Sequence, residues 1–553
     1  MALRQVFLLP FVLTGLLAVV AAWAPPTTVG GTVKSVSADG MQITLVVGTG
    51  KAAKDQTFRL TGESKISLDG KLVKPEELVE GTKVTLSYDK TSGEVIAIRI
   101  TATKSDSPQK PAAESNKPAG TPARTPSRVK GGAATPGAAS DRSGEWPQWR
   151  GPDRSGVSKE TGLLKEWPSD GPPLEWQASG LGEAYGTVTL EDQRIYTMGK
   201  RGNEEFVFAL DVLGGKQVWA TPIGSGQTKF SVKNSKSTPT LDGELLYAVG
   251  MNGTLVCLET ATGKLQWKKE YEAEFRGRMM SDWGWSESPL VDGDKVICTP
   301  GNDQAALVAM NKKTGQVIWK SAIQNCGGSG YSSIVVAEVG GVRQYITVLG
   351  KSGGLVGVSA KDGKLLWRNN RVAGGTANVP TPVVRDNLVF YTTGYQDGGS
   401  ALLRLVPAGG SVKAEEVYVK SAEELRNHHG GVVLVGDYLY GGHGQNQGFP
   451  FCLELKTGKL AWGKQRGPGS ESAAVTCADG NLYFRYQNAV VALIEATPRN
   501  LNVKGSFRIP NGSTPSWSHP VVAGGHLYLR DHDRLLCYDV RVNRSTAQVD
   551  FGR

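Results

Sequence analysis

From residue 186 to about residue 540 the chain is written in short apolar runs, such as Leu255-Val256-Cys257-Leu258, Leu388-Val389-Phe390-Tyr391 and Leu535-Leu536-Cys537-Tyr538, each closed by a polar or glycine-bearing turn. Runs of this length bounded by turns predict strands, and nothing in the region has the 3.6-residue period of an amphipathic helix. The runs recur. Ala209-Leu210-Asp211-x-x-Gly214-Gly215-Lys216-x-x-Trp219 returns as Cys257-Leu258-Glu259-x-x-Thr262-Gly263-Lys264-x-x-Trp267 and as Ala309-Met310-Asn311-x-x-Thr314-Gly315-Gln316-x-x-Trp319. It returns again as Asp362-Gly363-Lys364 with Trp367, and as Cys452-Leu453-Glu454-x-x-Thr457-Gly458-Lys459-x-x-Trp462. The tryptophans are separated by 48, 52, 48 and 95 residues, so the last gap holds two periods. With two degenerate units after Trp462, the array has eight units of about 44 residues, each reading as four short strands.

Four strands per unit of that length is a propeller blade, which cannot bury both faces alone and so predicts a ring. The last unit has no Trp strand of its own. Residues 174–176 read Leu-Glu-Trp where 265–267 read Leu-Gln-Trp, so this upstream segment is expected to supply the missing outer strand, with Trp176 as its docking residue alongside Trp219, Trp267, Trp319, Trp367 and Trp462. The fold class is therefore all-β, an eight-bladed propeller of four-stranded blades over 146–545. Residues 27–103 alternate with period two around Asp39-Gly40, Asp69-Gly70 and Ser92-Gly93, which predicts a small OB-like β-barrel of about five strands. Residues 104–145, rich in Pro, Ala and Ser and without an aromatic residue, read as a disordered linker.

Composition changes this picture in three places. Glycine, 71 of 553 residues, fits a protein of many tight turns. The net charge of +10 divides evenly, +5 on either side of residue 146, with no basic cluster interleaved with aromatics, which argues against nucleic acid as a partner. In residues 1–24, Arg4 precedes an apolar stretch from Val6 to Val20 and then small residues, the layout of an export signal, or of an N-terminal anchor over 6–24 if uncleaved. The expected location is the periplasm or cell envelope, with that anchor the sole membrane contact. The six cysteines form no C-x-x-C and sit mostly in apolar runs, so they read as small buried hydrophobes.

The repeat resembles the tryptophan-docking motif A-x-D-x-x-T-G-x-x-x-W of the pyrroloquinoline-quinone (PQQ)-like eight-bladed propellers. Trp146-Pro-Gln-Trp149-Arg-Gly-Pro-Asp-Arg-Ser-Gly156 and Asp282-Trp283-Gly284-Trp285-Ser286-Glu287-Ser288-Pro289 are similar to segments of exported bacterial members. The resemblance implies one of two functions. One is that of the propeller subunit of the outer-membrane β-barrel assembly machinery, which binds polypeptide partners. The other is that of the quinone-dependent alcohol dehydrogenases, with Ca²⁺, an Asp base, a Trp under the quinone and often a Cys-Cys ring.

No two cysteines are adjacent here, and no catalytic Asp or Ca²⁺ ligand set can be matched. We therefore expect a non-catalytic envelope scaffold that binds protein partners, with no catalytic residue, no metal and no cofactor. The alternative is a PQQ-dependent periplasmic alcohol or polymer-alcohol dehydrogenase, which would place Trp283, Trp285 and Glu287 at a quinone and its Ca²⁺. Turns leading into the blades are expected to face the central channel, which makes His428, His429, His443 and His519 candidates for its mouth. A metal site, a small-molecule or peptide site and plain packing all stay open for them.

Overall fold

The computed structural model describes residues 27–37, 42–48, 53–59, 65–68, 71–72, 80, 83–88, 95–100 and 144–542 apart from 396. The expected export signal and the linker up to residue 143 lie outside these. The chain divides into two compact units, residues 1–132 and 133–553.

In the first unit seven strands pair in the order Lys54–Arg59, Gln42–Val47, Thr27–Val36, Lys83–Tyr88, Val95–Ile100, Lys65–Leu68 and Lys71–Leu72. Val33, Ile43, Leu45, Phe58 and Val84 are buried, as the alternation requires for a sheet with one covered face. The expectation is of about five strands closing into a small barrel. Among the described residues there are seven strands, and the two end strands, Lys54–Arg59 and Lys71–Leu72, do not pair with each other. Alternation locates strands, but closure depends on tilt and stagger between them, which alternation does not encode.

In the second unit the described residues form eight antiparallel meanders in sequence order. The first blade comprises Thr189–Glu191, Arg194–Arg201, Glu204–Asp211 and Gln217–Ser225, and the second Thr240–Asp242, Leu245–Val249, Thr254–Glu259 and Leu265–Glu270. Four more four-stranded blades follow between Leu290 and Gly463. The seventh blade runs from Ala473–Ala478 to Val503–Arg508, and the eighth contains Val521–Ala523, His526–Asp531 and Arg534–Asp539. The hydrophobic core is correspondingly eightfold. One buried cluster joins blades one and two through Val207, Leu246 and Val256, and another joins blades seven and eight through Val491, Phe507 and Leu527. A third joins blade eight back to blade one through Val521, Cys537, Ile195 and Phe208. Every blade thus has a neighbour on both faces, and the ring is closed. All six cysteines are buried and unpaired inside it.

The recurring tryptophan explains the repeat. In the first blade Trp219 sits opposite Ala209, and Trp267, Trp319, Trp367 and Trp462 occupy the matching register opposite Cys257, Ala309, Gly357 and Cys452. Each ladder slips by one residue just beyond that pair, a β-bulge. Trp219 then lies across the turn of the following blade: a methyl group at Gly263 would stand 2.6 Å from its ring, and its indole N–H donates to the Thr260 carbonyl at 3.0 Å. Trp267 treats Gly315 and the Lys312 carbonyl in the same way. The glycine is needed twice over, for its positive φ (+73° at Gly263) and for the space the neighbouring indole fills.

The segment before the ring closes it. Leu174–Ala178 pairs antiparallel with Arg534–Asp539 as the outer strand of the eighth blade, and Trp176 stands opposite Cys537. Its indole lies on Gly215 of the first blade and donates to the Val212 carbonyl at 3.2 Å. Upstream, Val157–Ser158 adds a parallel strand to Ala473–Ala478 of the seventh blade. Trp167 fills the space over Gly505, at the outer strand of that same blade, against Tyr483 and Phe507.

Trp176 is half-buried, so Trp176→Ala is expected to cost stability near the lower end of the about 3–5 kcal/mol typical of buried aromatic truncations. Urea unfolding of residues 144–553 measures it, and a loss below about 1 kcal/mol would show that ring closure does not rest on this docking contact.

Candidate functional site

The inner strands of a propeller leave carbonyl groups facing the axis, and those groups need donors. Here the donors come from residues 146–156. Trp146 exchanges two backbone hydrogen bonds with Leu190, and Gly156 leads directly into the strand added to blade seven. Between them Arg154, only 4% exposed, donates to the carbonyls of Ser288, Pro289 and Ile334. Arg150 donates to the carbonyls of Ser155 and Val432. Trp149 donates its indole N–H to Thr381 Oγ1 at 2.9 Å and packs edge-on against His519 at 4.6 Å. With Pro147 accepting from the Leu241 N–H and Gly156 from the Cys477 N–H, one segment thus touches all eight blades, and it plugs the channel. Burial pushes the Arg150 and Arg154 guanidiniums down to about 10 and about 9, so both stay charged at neutral pH.

Over this plug lies a cavity of about 250 Å³ with Trp149 and Arg150 as its floor. Its wall is a run of aromatic rings carried on the turns that lead into the blades and, for Tyr395, on the loop between the second and third strands of the fifth blade. Trp283 lies 5.4 Å from Tyr331 and 5.5 Å from Tyr395. The Tyr395 hydroxyl is 2.8 Å from His429 Nε2. His429 meets Trp517 edge-on at 4.5 Å, and Trp517 lies 4.5 Å from Tyr185. Lys236 also lines the cavity. Its ammonium donates to the carbonyls of Val232 and Asn234, and burial pushes it down to about 8 against the opposing pull of Glu205. Among the described residues the lining contains no Asp, Glu, Asn or Gln.

The structure separates the residues singled out in the sequence. Trp283, His429 and His519 line the cavity. His428 lies behind it, stacked on His429 at 3.8 Å and within hydrogen-bonding distance of Ser472 Oγ, and His443 accepts the backbone N–H of Arg426. Trp285 is not at the mouth. It is 1% exposed in the core between blades two and three, edge-on to Phe230 and Tyr271. Glu287 is equally buried and accepts hydrogen bonds from the Tyr271 hydroxyl at 3.0 Å and from the Thr299 backbone N–H at 2.7 Å. Burial raises its carboxyl above the ordinary range against those donors.

That geometry decides the fit to a quinone. Aromatic faces for a flat ring are present, but Ca²⁺ takes six to eight oxygen ligands, and the one carboxylate proposed for it is turned away and already satisfied by Tyr271 and Thr299. The residues present do not fit Ca²⁺-bound PQQ. The plug and its arginines were absent from the sequence reading, which noted Trp146–Gly156 only as a resemblance. A signal existed: Trp149, Arg150 and Arg154 stand within six residues in a Gly- and Pro-rich segment with no strand period.

Residues 203–464 match the family model described as outer membrane protein assembly factor BamB. The repeat array is similar to that of BamB. Over 208 residues the chain is 26% identical to the assembly factor BamB of Moranella endobia, covering 37% of this chain and 48% of that protein. Over 195 residues it is 26% identical to BamB of Burkholderia pseudomallei, covering 34% and 44%. The match thus spans just under half the length of these relatives. Among solved structures, the quinohemoprotein alcohol dehydrogenase of Comamonas testosteroni superposes with a TM-score of 0.51 at 13% identity, over 74% of this chain and 82% of that one. At that identity the likeness is one of fold.

The buried histidines make stability depend on pH. Burial, assisted by nearby cationic side chains, pushes His428 and His443 down to about 4 and His519 to about 3, and burial beside His428 holds His429 well below its ordinary value. The unfolded chain takes up these protons near pH 6.5 while the folded chain does not, so stability is full above that pH and is lost as pH falls toward about 4. Between pH 6.5 and 5, above the carboxylate range, each such group is expected to remove up to about 1.4 kcal/mol per pH unit. Urea midpoints across that window should fall, with a shallower slope for His519→Gln. A flat profile would mean that these rings are protonated in the fold.

Proposed function

We propose that this chain is a non-catalytic binding protein of the cell envelope, whose propeller holds polypeptide partners and takes apolar or aromatic side chains of those partners in the cup at the channel mouth. The observation that carries this reading is the composition of the cup. Its walls are aromatic, its floor is sealed by the chain's own Trp149 and Arg150, and among the described residues it offers no carboxylate to serve as a base or to hold a divalent cation. Aromatic and apolar walls with a few fixed polar groups suit side-chain capture, because they bury area without demanding one hydrogen-bond pattern. The similarity to BamB, whose name is that of an assembly factor, supports the same reading, as does the sequence of residues 1–24. The even spread of positive charge gives no footprint for nucleic acid.

The test sets the two functions against each other on one protein. Unstructured peptides differing only by an aromatic residue or alanine are titrated against the intrinsic tryptophan emission. The aromatic peptides are expected to bind more tightly, and Trp283→Ala to weaken them by about tenfold, equivalent to about 1.4 kcal/mol. With PQQ and Ca²⁺ the protein is expected to show neither tight binding nor alcohol-dependent dye reduction. Micromolar quinone affinity together with dye reduction, both lost in Trp283→Ala, would transfer the protein to the dehydrogenases.

A further inference from the structure

Where the ring closes, three side chains far apart in sequence bring metal-ligand atoms together. A carboxylate oxygen of Glu175, an imidazole nitrogen of His526 and the thiol sulfur of Cys537 all lie within 4.8 Å of one another. We propose that this cluster is a site for a divalent transition metal of the zinc class, and that the metal staples the closing strand to the ring. The inference is independent of what the channel mouth binds.

The placement follows from the ladder. Trp176 stands opposite Cys537, and the register then slips so that Leu174 stands opposite Tyr538. Glu175 is therefore the extra residue of the bulge, which re-aims its side chain. Its Oε2 lies 3.0 Å from His526 Nε2. His526 begins the neighbouring strand two residues before Tyr528, which stands opposite Cys537, so His526, Tyr528 and Cys537 share a face.

The same bulge occurs in the other tryptophan blades, but without the ligands. The residues at the Glu175 position are Val218, Gln266, Ile318, Leu366 and Ala461, and those at the His526 position are Arg194, Leu245, Lys295, Gln344 and Tyr438. Cys257 and Cys452 occupy the position of Cys537 in their blades with neither partner beside them. The complete set arises only at the closing blade among these repeats, where one donor comes from the strand that completes the ring.

Sulfur, imidazole nitrogen and carboxylate oxygen are the zinc donors, at bond lengths of about 2.0–2.3 Å, which put neighbouring donors about 3.3–3.8 Å apart. The three ligand atoms, all within 4.8 Å of one another, stand close to that spacing. Arg541 holds Glu175 Oε1 at 3.0 Å and pairs with Asp539, which leaves Oε2 for the metal. Glu175 and His526 keep some exposure at the rim, so the ion has a way in and the fourth position falls to water. On binding, the Cys537 S–H bond breaks, its electron pair forms the sulfur–metal bond and the proton leaves to solvent. A metal that binds only the folded state then stabilises it by mass action.

The experiment uses the full chain and Co²⁺ as a spectroscopic stand-in for Zn²⁺. Stoichiometric Co²⁺ is expected to give a thiolate-to-cobalt charge-transfer band in the near ultraviolet and the intense visible bands of four-coordination. Both are expected to disappear on addition of Zn²⁺ and in Cys537→Ser, and to survive in Cys257→Ser and Cys452→Ser. His526→Gln and Glu175→Gln, at the rim, leave the core packed and should weaken Co²⁺ binding at least about tenfold, which keeps the test open if Cys537→Ser fails to fold. Zn²⁺ at a hundred times its Kd should lower the unfolding equilibrium constant about a hundredfold relative to chelator. Absence of the charge-transfer band, its persistence in Cys537→Ser or in both rim variants, or an unfolding midpoint indifferent to Zn²⁺ would each overturn the proposal.

Discussion

A blade buries both of its faces only if it has a neighbour on each side, so an open array of eight would leave two apolar faces and two sheet edges in water. Closure is the constraint on which the rest of this structure depends, and it is met by a segment from outside the repeat. Residues 144–178 plug the channel, lengthen the inner edge of blade seven, place Trp167 over Gly505 and end as the outer strand of blade eight. The bonds that hold the ring shut therefore join positions more than 300 residues apart, such as Leu163 with Asp479 and Gly182 with Asp533. Local blades can form early, but blades one and eight lack a neighbour on one face until the ring closes on this segment.

Between blades the recurring contact is an indole on a glycine turn, and the exceptions show what it requires. In the fifth blade Tyr418 replaces the tryptophan, lies on Gly458 and donates its hydroxyl to the Leu455 carbonyl at 2.9 Å, so the ring and the donor matter more than the indole itself. Trp462 faces a turn without the glycine and still donates, to the Thr497 carbonyl at 2.8 Å. Trp367, followed by the degenerate fifth blade, turns its N–H to Gln344 of its own blade at 2.6 Å. A flat apolar ring with one hydrogen-bond donor at its edge can pack between sheets and satisfy a turn carbonyl at once, which a leucine cannot.

The all-β ring and its closing strand were legible because both rest on a local pattern. The spacing of Trp219, Trp267 and Trp319 gave the period, and Leu174-Glu175-Trp176 matched it at a distance. What the sequence could not show was direction. Trp283, Trp285 and Glu287 look like one cluster, and in an unbroken strand they would share a face, but the left-handed turn at Gly284 (φ +76°) breaks that alternation, so Trp283 enters the cavity while Trp285 and Glu287 enter the core. The plug was illegible for a different reason. Arg150 and Arg154 are anchored by hydrogen bonds to backbone carbonyls of Val432, Ser288, Pro289 and Ile334, and carbonyls leave no trace in residue identity. The Glu175, His526 and Cys537 cluster has no motif spacing because closure, and not the local chain, assembles it.

The plug also bears on what the channel mouth can do. The axis of a propeller presents carbonyl oxygens, and a segment that satisfies them with guanidinium groups places fixed positive charge beneath the cavity. The nearest core carboxylate, Glu287, lowers that charge's cost to Arg154 from within the blade, without reaching the cavity. What remains above the plug is a neutral aromatic wall: histidines held unprotonated by burial, tyrosines held protonated by it, and three indoles. Apart from Lys236, which burial brings down to about 8, and the charged Arg150 of the floor, these groups are pinned in their neutral forms and have no proton to move at physiological pH, and the walls still offer apolar area to bury. The same burial that disqualifies those groups as acids and bases is what suits the cup to hold a side chain.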